Sequence, residues 1–289
     1  MNVDPLFSSV VFAGGGNRCL WQVGFWERVA PELTLTPKTI AAVSAGASMA
    51  CLILCGRITE TLEYFQKMTA GNPHNIYPAN IFRGHPVFPH LAMYRRALLD
   101  VIDDHALETL RTGPEIRILL SRPPAWAGPK LATFIGFLCY SVEKKLYSPV
   151  HPTFSSRIGF TPEVVTIDAC NSPEEVADLL LQSSCTPPFT PVMYRNGRPV
   201  LDGGLIDNVP VKILDENEKN VLVLLTRFYP PEKIPHIRGR LYVQPSQPIE
   251  VDKWDYTNPK GLRDAYDLGR HDGKIFIEQI KRTPTNKLG

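Results

Sequence analysis

Three short segments carry residue types suited to acyl transfer. In Ala42-Val43-Ser44-Ala45-Gly46 a serine stands between the apolar run Thr39 to Val43 and the small-residue segment Ala47 to Cys55. A serine between a strand and a helix projects its hydroxyl from a tight turn, and the helix directs N-terminal amides and its positive dipole end toward a developing oxyanion. Strand and helix must approach closely there, which calls for small residues two positions to either side; Ala42 and Gly46 meet that need. The bland alternative makes Ser44 an ordinary helix N-cap.

The second segment is Gly14-Gly15-Gly16 followed by Asn17-Arg18. Consecutive glycines bare their backbone N–H groups, which suits an oxyanion hole or a phosphate cradle, and they also serve simple turns. A dinucleotide fingerprint fits poorly, because Cys19 stands where its third glycine belongs. The third segment is Asp202-Gly203-Gly204, reading either as a carboxylate at a strand end or as a plain Asx-turn. Asp207 is a rival carboxylate, read as a structural cap beside Asn208. Only His236 and His271 follow Asp202 in the serine, acid, histidine order of α/β-hydrolases, and His271 reads as a solvated side chain in a polar helix.

These segments need elements to hold them. Ser9 to Ala13 reads as a strand, the glycines as a turn, and Arg18 to Ala30 as a helix; Thr39 to Val43 and Ala47 to Cys55 repeat the pattern, the second helix buried on all sides. Pro89 to Leu110 reads as one amphipathic helix, Glu115 to Leu120 as a strand, Val164 to Ile167 as a weaker strand, and Pro173 to Ser184 as a helix capped by Ser172. Asn196-Gly197 marks a hairpin that delivers the chain to Asp202. Val221 to Leu225 reads as a strand covered on both faces, Ile234 to Asp255 as a long surface excursion, and Pro259 to Arg282 as a C-terminal helix. Alternating strands and helices predict a three-layer α/β/α sandwich with a largely parallel central sheet.

In that order, the motifs resemble the patatin-like phospholipase family. The resemblance runs from about residue 8 to 211 and takes in Ser183 to Val192 and Asn208 to Val211. It implies a Ser44–Asp202 dyad rather than a triad, an oxyanion hole at Gly14, Gly15 and Gly16, and supporting roles for Arg18, Ala42, Gly46, Gly203 and Gly204. It also implies an acyl-enzyme, a phospholipid or other fatty acyl ester as substrate, and no metal or organic cofactor. Cys19 and Ala42 depart from the glycines usual in the family, which bears on the pitch of the loop and of the elbow. Residues 212–289 are expected to complete the same single domain with strands and a helix. Small-ester hydrolysis and lipid binding without catalysis are the competing functions.

Composition sets the bounds. A formal charge of +2 gives no global field for nucleic acid. The six cysteines lack a CxxC pair and read as reduced thiols. The first 25 residues lack a secretory pattern and no zinc spacing is present, so the expectation is cytoplasmic, with peripheral membrane contact. Trp126 to Tyr147, with Lys144 and Lys145, reads as a core helix or as an interfacial cap. Its apolar run Leu131 to Val142 is shorter than the ~20 residues of a spanning helix.

Overall fold

In the computed structural model, which describes residues 5–128, 131–136, 138, 150–151 and 157–282, the first elements are β1 (Ser9–Phe12), α1 (Leu20–Leu33), β2 (Thr39–Val43) and α2 (Ala45–Leu54). Helices α3 (Ile58–Ala70), α4 (His90–Val101) and α5 (Asp104–Thr112) precede β3 (Glu115–Arg122), β4 (Thr161–Thr166) and α6 (Pro173–Ser183). A hairpin of β5 (Met193–Arg195) and β6 (Arg198–Asp202) leads to β7 (Val221–Leu224), β8 (Arg240–Val243) and α7 (Pro259–Arg282). The strands form one sheet in the order β5-β6-β3-β2-β1-β7-β8, with β4 beside β3. β3, β2, β1, β7 and β8 are mutually parallel; β4, β6 and β5 join antiparallel. A largely parallel sheet flanked by helices is the expected α/β architecture.

Alternation along the central strands sorts their side chains to two faces. Val10, Phe12, Ile40, Ile118 and Leu222 enter a core shared with helices α1 to α7. Val11, Ala41, Val221 and Val223 face the other side, where Val209, Val211, Leu214 and Tyr229 cover them from turns and loops. Every residue of β1, β2 and β7 is therefore buried, which is why these runs are apolar throughout instead of alternating.

Helix α7 buries a stripe at helical spacing, including Leu262, Tyr266, Gly269, Gly273 and Ile277, against α1. The two backbones meet at glycines. A Cβ on Gly24 would strike the carbonyl of Tyr266, and one on Gly269 the carbonyl of Trp21. Neither obstacle is a side chain that can swing away. Gly269→Val is therefore expected to destabilise the protein by about 3 kcal/mol, read as a lower urea midpoint; an unchanged midpoint would refute the tight crossing.

Three readings need correction. The expected helix Pro89 to Leu110 is two helices: Ile102 is extended, and the Asp103 carboxylate caps α5 by accepting from Ala106 N at 2.8 Å. A competing side-chain acceptor broke a pattern that periodicity alone would have continued. The stretch Ile234 to Asp255 is more than a surface excursion, since it contributes β8, parallel to β7, and a strap packed on the glycine loop. Much of Trp126 to Tyr147, with both lysines, lies outside the described residues. Residues 131–136 are helical, but Leu131, Phe134 and Leu138 are each more than half exposed, so this is no fully buried core helix. Among the described residues no helix is long and apolar enough to cross a membrane.

Candidate active site

The strand register brings Ser44 and Asp202 together. Leu120 of β3 pairs with Glu163 of β4 on one edge and with Asp202 of β6 on the other. On that second edge β2 ends with Val43 opposite Leu119, so β6 takes up the hydrogen-bonding edge where β2 stops. Two strands running in opposite directions thus meet head to head, β6 ending at Asp202 and β2 one residue before Ser44. Ser44 Oγ donates to Asp202 Oδ2 at 2.7 Å, although 158 residues separate them.

Ser44 has φ 53° and ψ −138°, a backbone conformation that non-glycine residues rarely adopt. The surroundings hold it there. Its N–H donates at 2.8 Å to Ser183 Oγ, whose hydroxyl donates in turn at 2.8 Å to Leu119 O. Gly46 lets α2 lie on the end of β1, where a Cβ would collide with the carbonyls of Ala13 and Phe12. Gly203 is needed in the same way, its missing Cβ leaving room for Leu119 O. Ala42 is fully buried and the fold accommodates its methyl group.

Within the glycine loop the amides have different fates. Gly14 N–H donates to Asn208 O at 2.9 Å, and Gly14 O accepts from Asn208 Nδ2 at 2.8 Å and Thr226 Oγ1 at 2.6 Å. Gly14 is thus a clamp, and its amide is engaged. The Gly15 and Gly16 amides have no acceptor among the described residues, and both glycines line a cavity that also holds Ser44 and Asp202. Gly16 has φ +59°, with Lys253 O where a Cβ would stand.

Burial pushes the Asp202 carboxyl up to about 6, against the opposing pull of the Ser44 and Gly204 hydrogen bonds and the Lys253 charge. Gly204 N–H donates to Asp202 Oδ1 at 2.7 Å, so each carboxylate oxygen has one donor. The wall also carries aromatic and cationic side chains, His90, Tyr94, Trp254 and Tyr256 with Arg227 and Lys253, beside smaller ones such as Thr186 and Leu205. His90 is the one histidine among the described residues that lines the cavity, and its Nε2 is 2.9 Å from Trp254 O. A carbonyl can only accept, so that ring nitrogen carries the proton. Burial lowers the pKa of His90, favouring the neutral ring.

A patatin-like phospholipase family model matches residues 10–215, most of the chain. The chain belongs to the patatin-like phospholipase family. Proteins of this family are generally lipid acyl hydrolases. No curated protein matches the chain significantly. Among solved structures, VipD from Legionella pneumophila is similar at a TM-score of 0.47 and 11% identity, over 95% of this chain and 67% of that one.

In this patatin-like chain the expected residues gather at the carboxyl ends of β1 and β2, as ligand sites in α/β sheets do. Arg18 is not among the residues that line the cavity, and its Nε donates to Val251 O at 3.1 Å. Cys19 is fully buried with its thiol 3.6 Å from Ala13 O, and burial raises its pKa. Asp207 caps Val209 N at 3.0 Å and pairs with His151, whose Nε2 meets Tyr242 Oη at 3.1 Å; none of the three lines the cavity. His236 and His271 are exposed. Sequence reasoning missed Tyr94, Arg227, Lys253 and Trp254. A signal existed for three of them: Arg227 follows a buried parallel strand by three residues, and Lys253-Trp254 interrupts a polar stretch.

Proposed function

We propose that this chain hydrolyses fatty acyl esters of lipids through a Ser44–Asp202 dyad and an acyl-enzyme. The observation that carries the reading is the 2.7 Å hydrogen bond from Ser44 Oγ to a buried carboxylate, at a strained turn beside unpaired glycine amides. Ser44 Oγ attacks the ester carbonyl as its proton passes to Asp202 Oδ2. The amides of Gly15 and Gly16 receive the oxyanion, with Gly14 supporting the loop rather than donating. Asp202 then protonates the departing alkoxide, leaving Ser44 acylated. Water attacks the acyl-enzyme with Asp202 again taking the proton, and the fatty acid leaves as that proton returns to Ser44. An aspartate near its ordinary value is a weak base, and the upward shift brings it closer to the operating pH.

Residues 1–289 are proposed to act as one domain, a reading supported by the contribution of Thr226, Arg227 and Lys253, beyond the family match, to the same loop and cavity. An aromatic and apolar wall favours long-chain over short, soluble esters. The substrate is met by peripheral contact with a lipid surface.

A long-chain fluorophosphonate tests the reading. One adduct per chain is expected, mapped by peptide mass to Ser44. Its rate should climb with pH through about 6 and level off above, because only ionised Asp202 accepts the proton. Absence of an adduct on folded protein would sink the proposal.

A further inference from the structure

Phe82 is the most exposed large apolar side chain among the described residues, at 93%, and its neighbour Ile81 is 67% exposed. Both ride on a 3-10 turn, Pro78–Arg83, entered through Pro78 and left through Gly84 at φ +67°. Hydrogen bonds fix the turn: Tyr77 N–H donates to Val87 O at 2.8 Å, His85 N–H to Asn80 O at 3.1 Å and Asn80 Nδ2 to Pro86 O at 2.8 Å. Its base is tied to the strap that lies on the glycine loop. Asn72 Nδ2 donates to Tyr256 O at 2.9 Å, Asn75 Nδ2 to Asp255 Oδ1 at 3.0 Å, and Tyr256 N–H to Asn75 Oδ1 at 2.8 Å. A turn held in this way keeps Ile81 and Phe82 in water, at a hydrophobic cost that contact with an apolar medium relieves.

The surroundings say which medium. Behind the tip runs an open groove whose wall includes Met68, Tyr77, Phe88, Leu91 and Met93. Phe189 lines it too, and its ring stacks at 4.8 Å on Trp254, which lines the cavity of Ser44. From Tyr64 to Leu99 the sequence holds Lys67, Arg83, Arg95 and Arg96 and no aspartate or glutamate. Arg95 and Arg96 pair with Asp178 and Asp100, whereas Lys67 and Arg83 form no ion pair among the described residues. An apolar tip of one turn with cations beside and behind it matches the profile of a bilayer surface, acyl chains below and anionic headgroups above. A protein partner would need a socket shaped for Phe82; a membrane receives it without one.

We propose that Ile81 and Phe82, with Lys67 and Arg83, dock the chain on an anionic lipid bilayer, the tip entering the acyl layer and the groove beside the cavity turned to the membrane. The contact deepens the lipid-ester reading by naming the surface on which the chain works; adsorption itself needs neither Ser44 nor Asp202.

Vesicle flotation of the full chain, with ether-linked lipids that cannot be hydrolysed, tests the docking apart from the chemistry. The probes are vesicles of phosphatidylcholine alone and vesicles in which phosphatidylglycerol supplies negative charge. The anionic vesicles are expected to bind roughly 10-fold more tightly. Ile81→Ser with Phe82→Ser, verified as folded by its melting curve, should weaken binding to both by about 10- to 100-fold, and Phe82→Leu should keep most of it. Lys67→Gln with Arg83→Gln should remove most of the anionic preference. Vesicle binding that the double serine variant leaves intact overturns the docking surface, as does a wild type that binds neither vesicle. Sedimentation velocity that shows a dimer dissolved by the same variant also overturns it, assigning the tip to a second copy of the chain. In turnover, the kcat/KM ratio of a vesicle-borne ester to a dissolved ester should fall by about 10-fold in the double serine variant. Hydrolysis with that ratio unchanged would keep the dyad and overturn the docking. Tip-dependent adsorption by a chain that cleaves neither ester supports the docking and counts against the dyad.

Discussion

Ser44→Ala is expected to lower kcat for a long-chain ester by roughly 10⁴- to 10⁶-fold, the range seen when a serine nucleophile is removed and only binding and oxyanion stabilisation remain. The substitution deletes one oxygen and leaves the backbone requirement unchanged, since alanine has the same Cβ to hold at φ 53°. The fold should therefore survive. What changes locally is Asp202, which loses the donor on Oδ2 and keeps the Gly204 amide on Oδ1. Steady-state hydrolysis with matched melting curves checks this. A variant that keeps a tenth of wild-type kcat would remove Ser44 from the chemistry.

Asp202→Asn should separate activity from stability. As the proposed base, Asp202 has no substitute among the described residues that line the cavity: His90 is engaged with Trp254, and the other expected candidates lie elsewhere. A loss of roughly 10³- to 10⁴-fold in kcat follows. Stability should move the opposite way. Asp202 ionises near 3.8 in the unfolded chain and near 6 in the fold. Below pH 4 both states are protonated and the carboxyl costs nothing extra. Between pH 4 and 6 the unfolded chain ionises while the fold holds its proton, so the wild type loses stability as pH rises. Above 6 the full penalty applies, up to about 3 kcal/mol. Asparagine carries no such penalty. The variant should melt higher than wild type at pH 8 and converge toward it at pH 4, and a variant less stable at pH 8 would show that the carboxylate is not strained by burial.

These expectations describe a cavity with divided labour. In the proposed function the turn after β2 carries the nucleophile, the turn after β6 the base, and the loop after β1 the oxyanion donors. The segments after β7 and β8 bring the cations. A sequence motif search reaches the first three because each carries glycine for a steric reason. It does not reach the last two, since Arg227 and Lys253 need no special backbone and look like ordinary surface charges.

The sequence by itself determined the strands other than β8, the elbow at Ser44 and the order of motifs, because apolar periodicity and glycine placement are local consequences of backbone sterics. It also marked α7 to its residue boundaries, through an uninterrupted amphipathic stripe. Tertiary structure alone decided which amides remain available. Gly14, Gly15 and Gly16 are indistinguishable in sequence, and only the arrival of Asn208, whose carbonyl accepts from the Gly14 N–H, engages the first and leaves the others without an acceptor among the described residues. It likewise decided that one long amphipathic stretch is two helices, that the polar segment before α7 forms a wall of the cavity, and that Asp202 sits near pH 6. Each of these depends on which groups distant in the chain come within hydrogen-bonding or Coulomb range, and on how much water they exclude, quantities that no local pattern encodes.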